Sequence, residues 1–328
     1  MAIIANTVLT TAATGNREEV DDLVSLITPA DTPLYSGMGK GKAASKHPEW
    51  EIETLDTPAA NAQPEGGEYN YDAVTAPTRP GNYTQIFNKT FVFSGSQGAV
   101  DNVGNVEKRA HEMMKKGKAL KKDIEYSILD NTASTNSDPR RSGGLPTWFT
   151  TNVSRGGGGG ASGGFSGGVT TVETTGTLRA WTKALTDTVL QSVYNSGGNV
   201  STLVVSPYNK GVFATFMSDS NVANQRHPVQ AGQKISIIGT ADIYESPWGP
   251  VEVVPNRVMA GSASLARRVY AIDWDMLQWL SLRPIQEDTV AKTGDAEKGV
   301  LIHEGCLKVR NEAGLGVIAD VYGLTASS

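Results

Sequence analysis

Two short motifs match the pattern of the nucleophile elbow of serine hydrolases. GASGG at 160–164 and GFSGG at 164–168 both fit G-x-S-x-G. A nucleophile elbow needs a hydrophobic strand before the serine and a helix after it, whereas both matches lie inside one glycine-rich tract. GMGKGKAAS at 37–45 resembles a phosphate-binding loop, but Ala43 stands where that loop needs the Ser or Thr that reaches Mg²⁺. Neither motif predicts catalysis.

The titratable residues also form no recognisable site. The histidines are scattered without the spacing of zinc ligands; they are His47, His111, His227 and His303. Cys306 lies in GCLKV, which alternates like a strand and favours a buried, inert thiol over a nucleophile. Asp273 and Asp275 share a predicted strand face and could form a catalytic pair, but we favour two solvated acids between apolar neighbours. The sequence therefore predicts no catalytic residue, no metal site and no cofactor.

Composition and charge exclude several classes of protein. The chain has 328 residues, a formal net charge of −5 and 36 glycines. An acidic balance argues against a protein whose main task is to coat nucleic acid, although a local basic patch is compatible with it. One cysteine cannot form an internal disulfide, which favours a reducing cytosol. The start lacks the basic region of a signal peptide. The sequence contains no run of about 18 apolar residues, so we expect no membrane span.

An acidic stretch at 49–78 precedes a strong strand pattern. This stretch contains seven acids and no Lys or Arg. In the following NYTQIFNKTFVFSG (82–95), apolar residues occupy both parities, so both faces of the predicted strand are apolar. They are Tyr83, Phe87, Phe91 and Phe93 on one face and Ile86 and Val92 on the other. KHPEWEIETL and GNYTQIFNKTFVFS predict a long β-hairpin with an extended tip over 46–95. An isolated hairpin is marginal in water, so this one needs outside support.

A long helix is predicted over 105–131. Its apolar residues recur at three- and four-residue steps and form one narrow stripe; they are Val106, Ala110, Met113, Gly117, Leu120, Ile124 and Ile128. We expect this stripe to pack on the strands predicted between 268 and 322. Most remaining positions are charged, including Lys115, Lys116, Lys118, Lys121 and Lys122. These lysines could bind phosphate or form a solvated helix face, and the sequence leaves both readings open.

The second half alternates between helices and strands. The Gly/Ser-rich tract at 155–168 predicts a surface loop that is dispensable for folding. An amphipathic helix is predicted over 177–198 and a buried strand over 200–206, with Ser206 as the N-cap of the next helix. The last part is predicted to be almost entirely β, with VLIHEGCLKVR and LGVIADVYG on either side of a short turn at 311–314.

The order of these elements, and several strings within them, carry a family resemblance. NYTQIFNKTFVFSG, GGLPTWFTTN, GPVEVVPNR and LRPIQEDTVAKTGDAEKGVLIHEGCLKVRNEAGLG resemble the major capsid proteins of tailed phages with the Hong Kong 97 fold. The resemblance spans most of residues 15–325. It implies an α+β fold with an N-terminal arm, an extended β-hairpin loop, a long spine helix in a peripheral domain, and an α/β axial domain.

The resemblance also implies domain boundaries and partners. The arm would span 1–45, the extended loop 46–95, the peripheral domain 96–150 and 262–328, the glycine-rich loop 151–169, and the axial domain 170–261. Copies of the chain would form pentamers and hexamers in a shell around double-stranded DNA, together with a portal and scaffold or decoration proteins. The chain would be made in the host cytoplasm and reside in the virion. An encapsulin-type nanocompartment shares the fold and stays an alternative; an α/β enzyme is the alternative from another class.

The acidic stretch predicts contacts between subunits. A hairpin without a core that lies on a neighbouring subunit should meet complementary charge there. The acids are Glu49, Glu51, Glu53, Asp56, Glu65, Glu68 and Asp72, and the favoured partners are Arg267, Arg268, Lys292 and Lys298. This choice leaves the lysines of the spine helix free to face DNA. Equally, the acids could simply keep a solvent-facing loop soluble.

Overall fold

The computed structural model describes residues 29–68, 71, 73–100, 108–216, 242–288, 290–291 and 294–324. Several predictions made above concern residues outside this part of the chain. These are the first 28 residues of the arm, Val106, His227, Asp72 and Lys292.

The described residues fold into short helices, one long helix and strands of two larger sheets. The helices are α1 (Pro33–Gly37), α2 (Gly95–Ala99), α3 (Lys108–Leu129), α4 (Lys183–Asn195), α5 (Pro207–Thr215) and α6 (Ala263–Ala266). The strands are β1 (Gly39–Lys42), β2 (Gln85–Ser94), β3 (Val153–Ser154), β4 (Gly164–Ser166), β5 (Val169–Thr171), β6 (Thr202–Val205), β7 (Ile243–Ser246), β8 (Gly249–Pro255), β9 (Val269–Ile272), β10 (Leu277–Asp288), β11 (Ala296–Val309) and β12 (Gly316–Ile318).

The first sheet has the strand order β1-β10-β11-β2, and helix α3 packs against it. Leu120, Ile124 and Ile128 of α3 are fully buried in one core cluster with Phe87 of β2 and Trp279 of β10. The predicted packing of the helix stripe on the C-terminal strands is therefore confirmed for this half of the helix. Toward the N-terminus the stripe is less buried, since Met113 is half-buried against the edge of this core and Ala110 is exposed.

The second sheet has the order β3-β12-β9-β6-β8-β7 and carries α4 and α5. The prediction of a buried strand is confirmed by β6, and Ser206 caps α5 by accepting a hydrogen bond from the Asn209 amide. The predicted helix at 177–198 begins later, at Lys183, because Thr182 takes the N-cap position and accepts from the Leu185 amide. Trp181 lies just before the helix and is nevertheless buried.

One prediction about the C-terminal part of the chain is confirmed and another is wrong. The predicted turn at 311–314 follows β11, with Asn311 as its cap, and the strands on either side of it belong to different sheets. Asp273 and Asp275 do not share a strand face. The chain turns in a short 3₁₀ segment at Trp274–Met276, and the Asp273 carboxylate accepts hydrogen bonds from the amides of Asp275 and Asn199. Its role is that of a turn cap, which explains its burial.

The glycine-rich tract lies at the surface, as predicted, but parts of it pack against the rest of the chain. Strands β4 and β5 form a small hairpin within and after the tract. The Phe165 ring stacks on Trp148 at 5.8 Å between centroids. The Gly156 amide donates to the Asp320 carboxylate at 3.1 Å, and a Cβ on Gly156 would lie 1.9 Å from the carbonyl oxygen of Thr177. Several of these glycines therefore permit close backbone contacts, so we now expect deletion of the tract to destabilise the fold.

Candidate assembly interface

The extended loop projects from the first sheet as a segment without a core. Its two branches are held together at the base by antiparallel bridges that pair Glu49 with Gly81 and Ile52 with Thr78. Beyond this base, every described residue from 53 to 79 is exposed. The hairpin prediction is confirmed only at this base. Strand β2, predicted as the second strand of the hairpin, instead pairs with β11 along its length.

The acids of the loop fall into two groups. Glu49 is bound within its own chain, since its carboxylate lies 2.8 Å from the Arg79 guanidinium. The others are exposed and make no ion pair with any other described residue; they are Glu51, Glu53, Asp56, Glu65 and Glu68. The loop therefore presents uncompensated negative charge to its surroundings.

Three large apolar side chains lie among these acids. Leu55 and Val74 are each 98% exposed, and Tyr71 is 93% exposed. Sequence reasoning concentrated on charge and missed these residues. The available signal was that isolated large apolar residues occurred in a stretch with no core to receive them. Almost none of the apolar surface of these three side chains is covered by the described part of the chain.

The basic residues proposed as partners of the loop lie in different environments. Arg268 is buried and its guanidinium binds the Glu173 carboxylate of its own chain, so the structure contradicts its role in subunit contacts. Arg155 binds the same carboxylate. Arg267 is half-buried. Lys298 lies on β11, directly opposite Val92 of β2.

The lysines of α3 line the side of the helix that faces away from the core. Lys115, Lys118 and Lys121 are exposed, while Lys116 and Lys122 are half-buried. The Lys115 ammonium lies 2.7 Å from the Glu112 carboxylate, one turn earlier in the helix. The exposed Lys115, Lys118 and Lys121 recur at three-residue steps and form a basic row on one side of the helix.

A buried carboxylate of α3, which sequence reasoning missed, anchors the described end of the arm. Glu125 accepts hydrogen bonds from the amides of Leu34 and Tyr35 at 3.0 and 2.7 Å, and from the Asn256 side chain at 2.6 Å. It thereby caps the first turn of α1 and ties α1 to the segment after β8. Burial raises the pKa of this carboxyl, against the opposing effect of its amide donors.

A second buried carboxylate binds the extended loop to the first sheet. Glu304 of β11 accepts hydrogen bonds from Arg140, Arg283 and the Thr84 hydroxyl, each at 2.9 Å. Thr84 ends the returning branch of the loop. Nearby, Asn82 donates to the Leu307 carbonyl at 2.7 Å. These hydrogen bonds fix the base of the loop to the first sheet.

The groups that could carry chemistry are buried or isolated. Cys306 is buried, and burial raises the pKa of its thiol to about 12. His303 is buried and accepts a hydrogen bond from the Trp279 indole at 2.9 Å. Among the described residues, no three His, Cys, Asp or Glu side chains come together in a way that could hold a metal ion. No helix in the described ranges is both long and apolar enough to cross a membrane.

Comparisons with known proteins place the chain among capsid proteins. A model of the family described as SU10 major capsid protein matches residues 6–322. A major capsid protein of Escherichia phage Phieco32 is 23% identical over 347 residues, covering 95% of this chain and 96% of that protein. The capsid asymmetric unit of cyanophage A-1(L) is similar in structure, with a TM-score of 0.65 at 16% identity over 96% of this chain and 98% of that one.

An encapsulin is also a structural neighbour. The holo-SrpI encapsulin complex of Synechococcus elongatus PCC 7942 gives a TM-score of 0.56 at 11% identity, covering 95% of this chain and 94% of that one. At this identity the likeness shows the fold alone. The fold is the α+β architecture of the Hong Kong 97 type, and the match to the family model favours a phage capsid over an encapsulin.

Proposed function

The chain belongs to the SU10 major capsid protein family and functions as a phage major capsid protein, and from this premise we propose how its copies assemble. Each copy extends residues 53–77 onto a neighbouring copy, and rings of five and six copies build a shell that encloses double-stranded DNA. The role of the chain in this shell is structural and involves no catalysis. The contact between copies is heterologous, because the loop of one subunit meets a different surface on the next, and such contacts close into rings.

The observation that carries this proposal is the exposed loop itself. A segment whose described residues are all exposed contributes little apolar burial to the stability of the monomer and costs conformational entropy when it is ordered. The loop exposes three apolar side chains almost completely and carries five acids that pair with no described residue. A second copy that covers this segment accounts for both features. The energy of each contact is small, and the many contacts of a closed shell add up.

Charge sets the register of this contact. We place the exposed acids of the loop, together with Asp72, opposite Lys298, Arg267 and Lys292 of the neighbouring subunit. Arg268 is excluded from this set because it is buried and paired with Glu173. Exposed ion pairs contribute about 0–1 kcal/mol each, so they should affect docking geometry and salt sensitivity more than strength.

The basic row of α3 faces the packaged DNA in this arrangement. Lys115, Lys118 and Lys121 are exposed on the side of the helix opposite the core. Contacts of lysine with phosphate carry no sequence information, so the binding of DNA is non-specific. The lysines that are half-buried, Lys116 and Lys122, flank the row and add to its positive potential.

The remaining parts of the proposal follow from the family. The division into arm, extended loop, peripheral domain and axial domain keeps the boundaries expected from the sequence, except that the glycine-rich tract is packed against its surroundings. A portal completes the shell, and scaffold or decoration proteins take part in its assembly. The chain is synthesised in the host cytoplasm before it enters the virion.

Sedimentation velocity and negative-stain electron microscopy of the recombinant protein test this proposal. The wild-type chain should form rings or shells of tens of nanometres. A variant in which residues 54–76 are replaced by a short Gly/Ser linker keeps both sheets and α3, and it should remain a folded small species. A wild-type chain that stays a compact monomer at all concentrations, or a linker variant that assembles as well as wild type, would contradict the proposal.

A further inference from the structure

The basic row of α3 ends beside a second pair of lysines, which lie on β1. Lys40 and Lys42 alternate with the two glycines of this strand, and both lysines are exposed. Strand β1 is an edge strand of the first sheet and pairs in parallel with β10. Side chains at alternate positions of a strand point to the same face of its sheet. The charges of Lys40 and Lys42 therefore lie on one face.

The register of β1 with β10 shows which face this is. Residues directly opposite each other on paired strands share one face of the sheet. Lys40 lies opposite Trp279, and Lys42 lies opposite Ser281. Trp279 is buried in the same core cluster as Leu120 of α3. The two lysines therefore lie on the side of the first sheet that α3 covers, at the edge of that side.

A chain of contacts places Lys40 beside Lys121, the last residue of the basic row. Lys121 lies one helical turn before Glu125, whose carboxylate accepts a hydrogen bond from the Tyr35 amide at 2.7 Å. The Lys40 ammonium lies over the Tyr35 ring, 3.4 Å from its centroid, and donates a hydrogen bond to the Tyr35 carbonyl oxygen. The lysines of β1 therefore continue the basic row sideways from the helix to the edge of the sheet.

The environment of Lys40 disfavours its positive charge. Partial burial removes water from the ammonium, and Lys121 repels it, whereas the Glu125 carboxylate attracts it; the net effect lowers the pKa of Lys40 to about 8. His303 of β11 is a further titratable group that interacts with Lys40. An anion in contact with both Lys40 and Lys121 would offset the repulsion between the two ammonium groups.

We propose that Lys40 and Lys42 of β1 form, together with the basic row of α3, one surface that binds the phosphate backbone of duplex DNA. The inference rests on the proposed function and extends the DNA-facing surface from one element to two. Within the described part of the chain, the Lys40 ammonium uses one of its three N–H donors, on the Tyr35 carbonyl oxygen. The other donors can reach phosphate oxygens. Because a phosphate favours the charged form of Lys40, DNA binding and protonation of this residue are coupled.

Salt titrations of duplex DNA binding at about pH 7 and about pH 9, on either side of the pKa of Lys40, test this inference. Fluorescence anisotropy of a labelled duplex of arbitrary sequence gives the affinity of the full-length chain. Lys40→Gln removes the charge, whereas Lys40→Arg keeps a charge that does not titrate in this range. Lys42→Gln tests the second lysine of β1. Lys183→Gln, an exposed lysine on α4, is the matched control.

At about pH 7, Lys40→Gln and Lys42→Gln should each reduce the slope of log K against log salt by about 1, and Lys183→Gln should keep the wild-type slope. Between the two pH values the wild-type affinity should fall about three- to tenfold, because Lys40 loses its proton, and Lys40→Arg should show no such fall.

Two other results have different consequences. Lys40 and Lys42 variants with the slope and the pH dependence of wild type would overturn this inference, since these lysines would then only protect the edge of the sheet. A reduced slope for variants of the basic row of α3 alone would leave the proposed function standing. If the wild-type chain binds no duplex DNA at any salt concentration, the proposed DNA contact fails, and the inference fails with it.

Discussion

Two buried carboxylates connect elements that lie far apart in the sequence. Glu125 and Glu304 each gather donors from segments far apart in sequence, one at the described end of the arm and the other at the base of the loop. Neither role could be predicted from the sequence, because a lone Glu in a charged helix or strand has no local signal of burial. Cys306 was predicted correctly as an inert thiol, since its neighbours alternate as in a strand.

Leu120→Ala should lower the free energy of unfolding by about 2–5 kcal/mol, because Leu120 is fully buried between α3 and the first sheet and its truncation leaves a cavity. Urea denaturation of the unassembled protein measures this change. Met114→Ala, on the exposed side of the same helix, is the matched control and should stay within about 0.5 kcal/mol of wild type. Equal losses for the two variants would contradict the packing of α3.

The buried His303 should make stability depend on pH. Burial lowers its pKa in the folded protein, so the unfolded chain takes up a proton first as the pH falls below about 6.5. The stability that neutral His303 contributes is present above that pH and is lost as the pH falls toward its folded pKa, by up to about 1.4 kcal/mol per pH unit. Thermal unfolding between pH 7.5 and 5 measures this loss.

The comparison with His303→Gln isolates the effect of this residue. Gln can still accept the hydrogen bond from the Trp279 indole, but it does not titrate. Glu125 titrates in the opposite sense, since burial raises its pKa, and it does so in both proteins. The wild-type curve should therefore fall more steeply with acidification than the variant curve, and parallel curves would refute the assignment.

Whole elements were predicted well where the signal is local. The capping of α5 by Ser206, the buried strand β6 and the stripe of α3 all follow from patterns within a few residues of each other. The pairing of β2 with β11 and the separation of β11 from β12 involve distant segments, so periodicity could not reveal them. The packing of the glycine-rich tract could not be predicted, because close backbone contacts favour glycine as strongly as flexibility does.

Gly156→Ala should therefore destabilise the fold, although it lies at the start of a low-complexity tract. The added Cβ would meet the Thr177 carbonyl oxygen at 1.9 Å, and relief of such a clash costs about 1–3 kcal/mol. Gly157→Ala is the matched control, because no atom lies within 4 Å of a Cβ at that position. Thermal unfolding should show a lower midpoint for the first variant alone. Two variants with wild-type midpoints would restore the prediction of a free loop.

Replacing the exposed lysines of α3 should weaken DNA binding without loss of fold. The triple variant Lys115→Glu, Lys118→Glu and Lys121→Glu removes positive charge from the outward side of the helix. Each lost phosphate contact should reduce the slope of log K against log salt by about 1. Lys183→Glu on α4, another exposed lysine, serves as the control. A triple variant that binds duplex DNA with the wild-type slope would show that the row faces solvent.

The molecule as a whole has two packed sheets and a projecting loop. The described residues of this loop from 53 to 79 are not covered by their own chain. Sequence reasoning predicted the family from a resemblance, and it predicted a projecting loop because residues 49–78 contain too few apolar residues to form a core. It did not identify Leu55, Tyr71 and Val74 as uncovered apolar residues, because exposure is a property of the folded chain.

Cryo-electron microscopy of assembled shells, at a resolution that shows side chains, tests the central claim most directly. Our account predicts that residues 53–77 of each copy lie on a neighbouring copy, with at least one loop carboxylate within about 4 Å of a Lys or Arg nitrogen of that neighbour. A loop that projects into solvent or folds back on its own subunit, with none of its carboxylates near a neighbour's cation, would contradict the account.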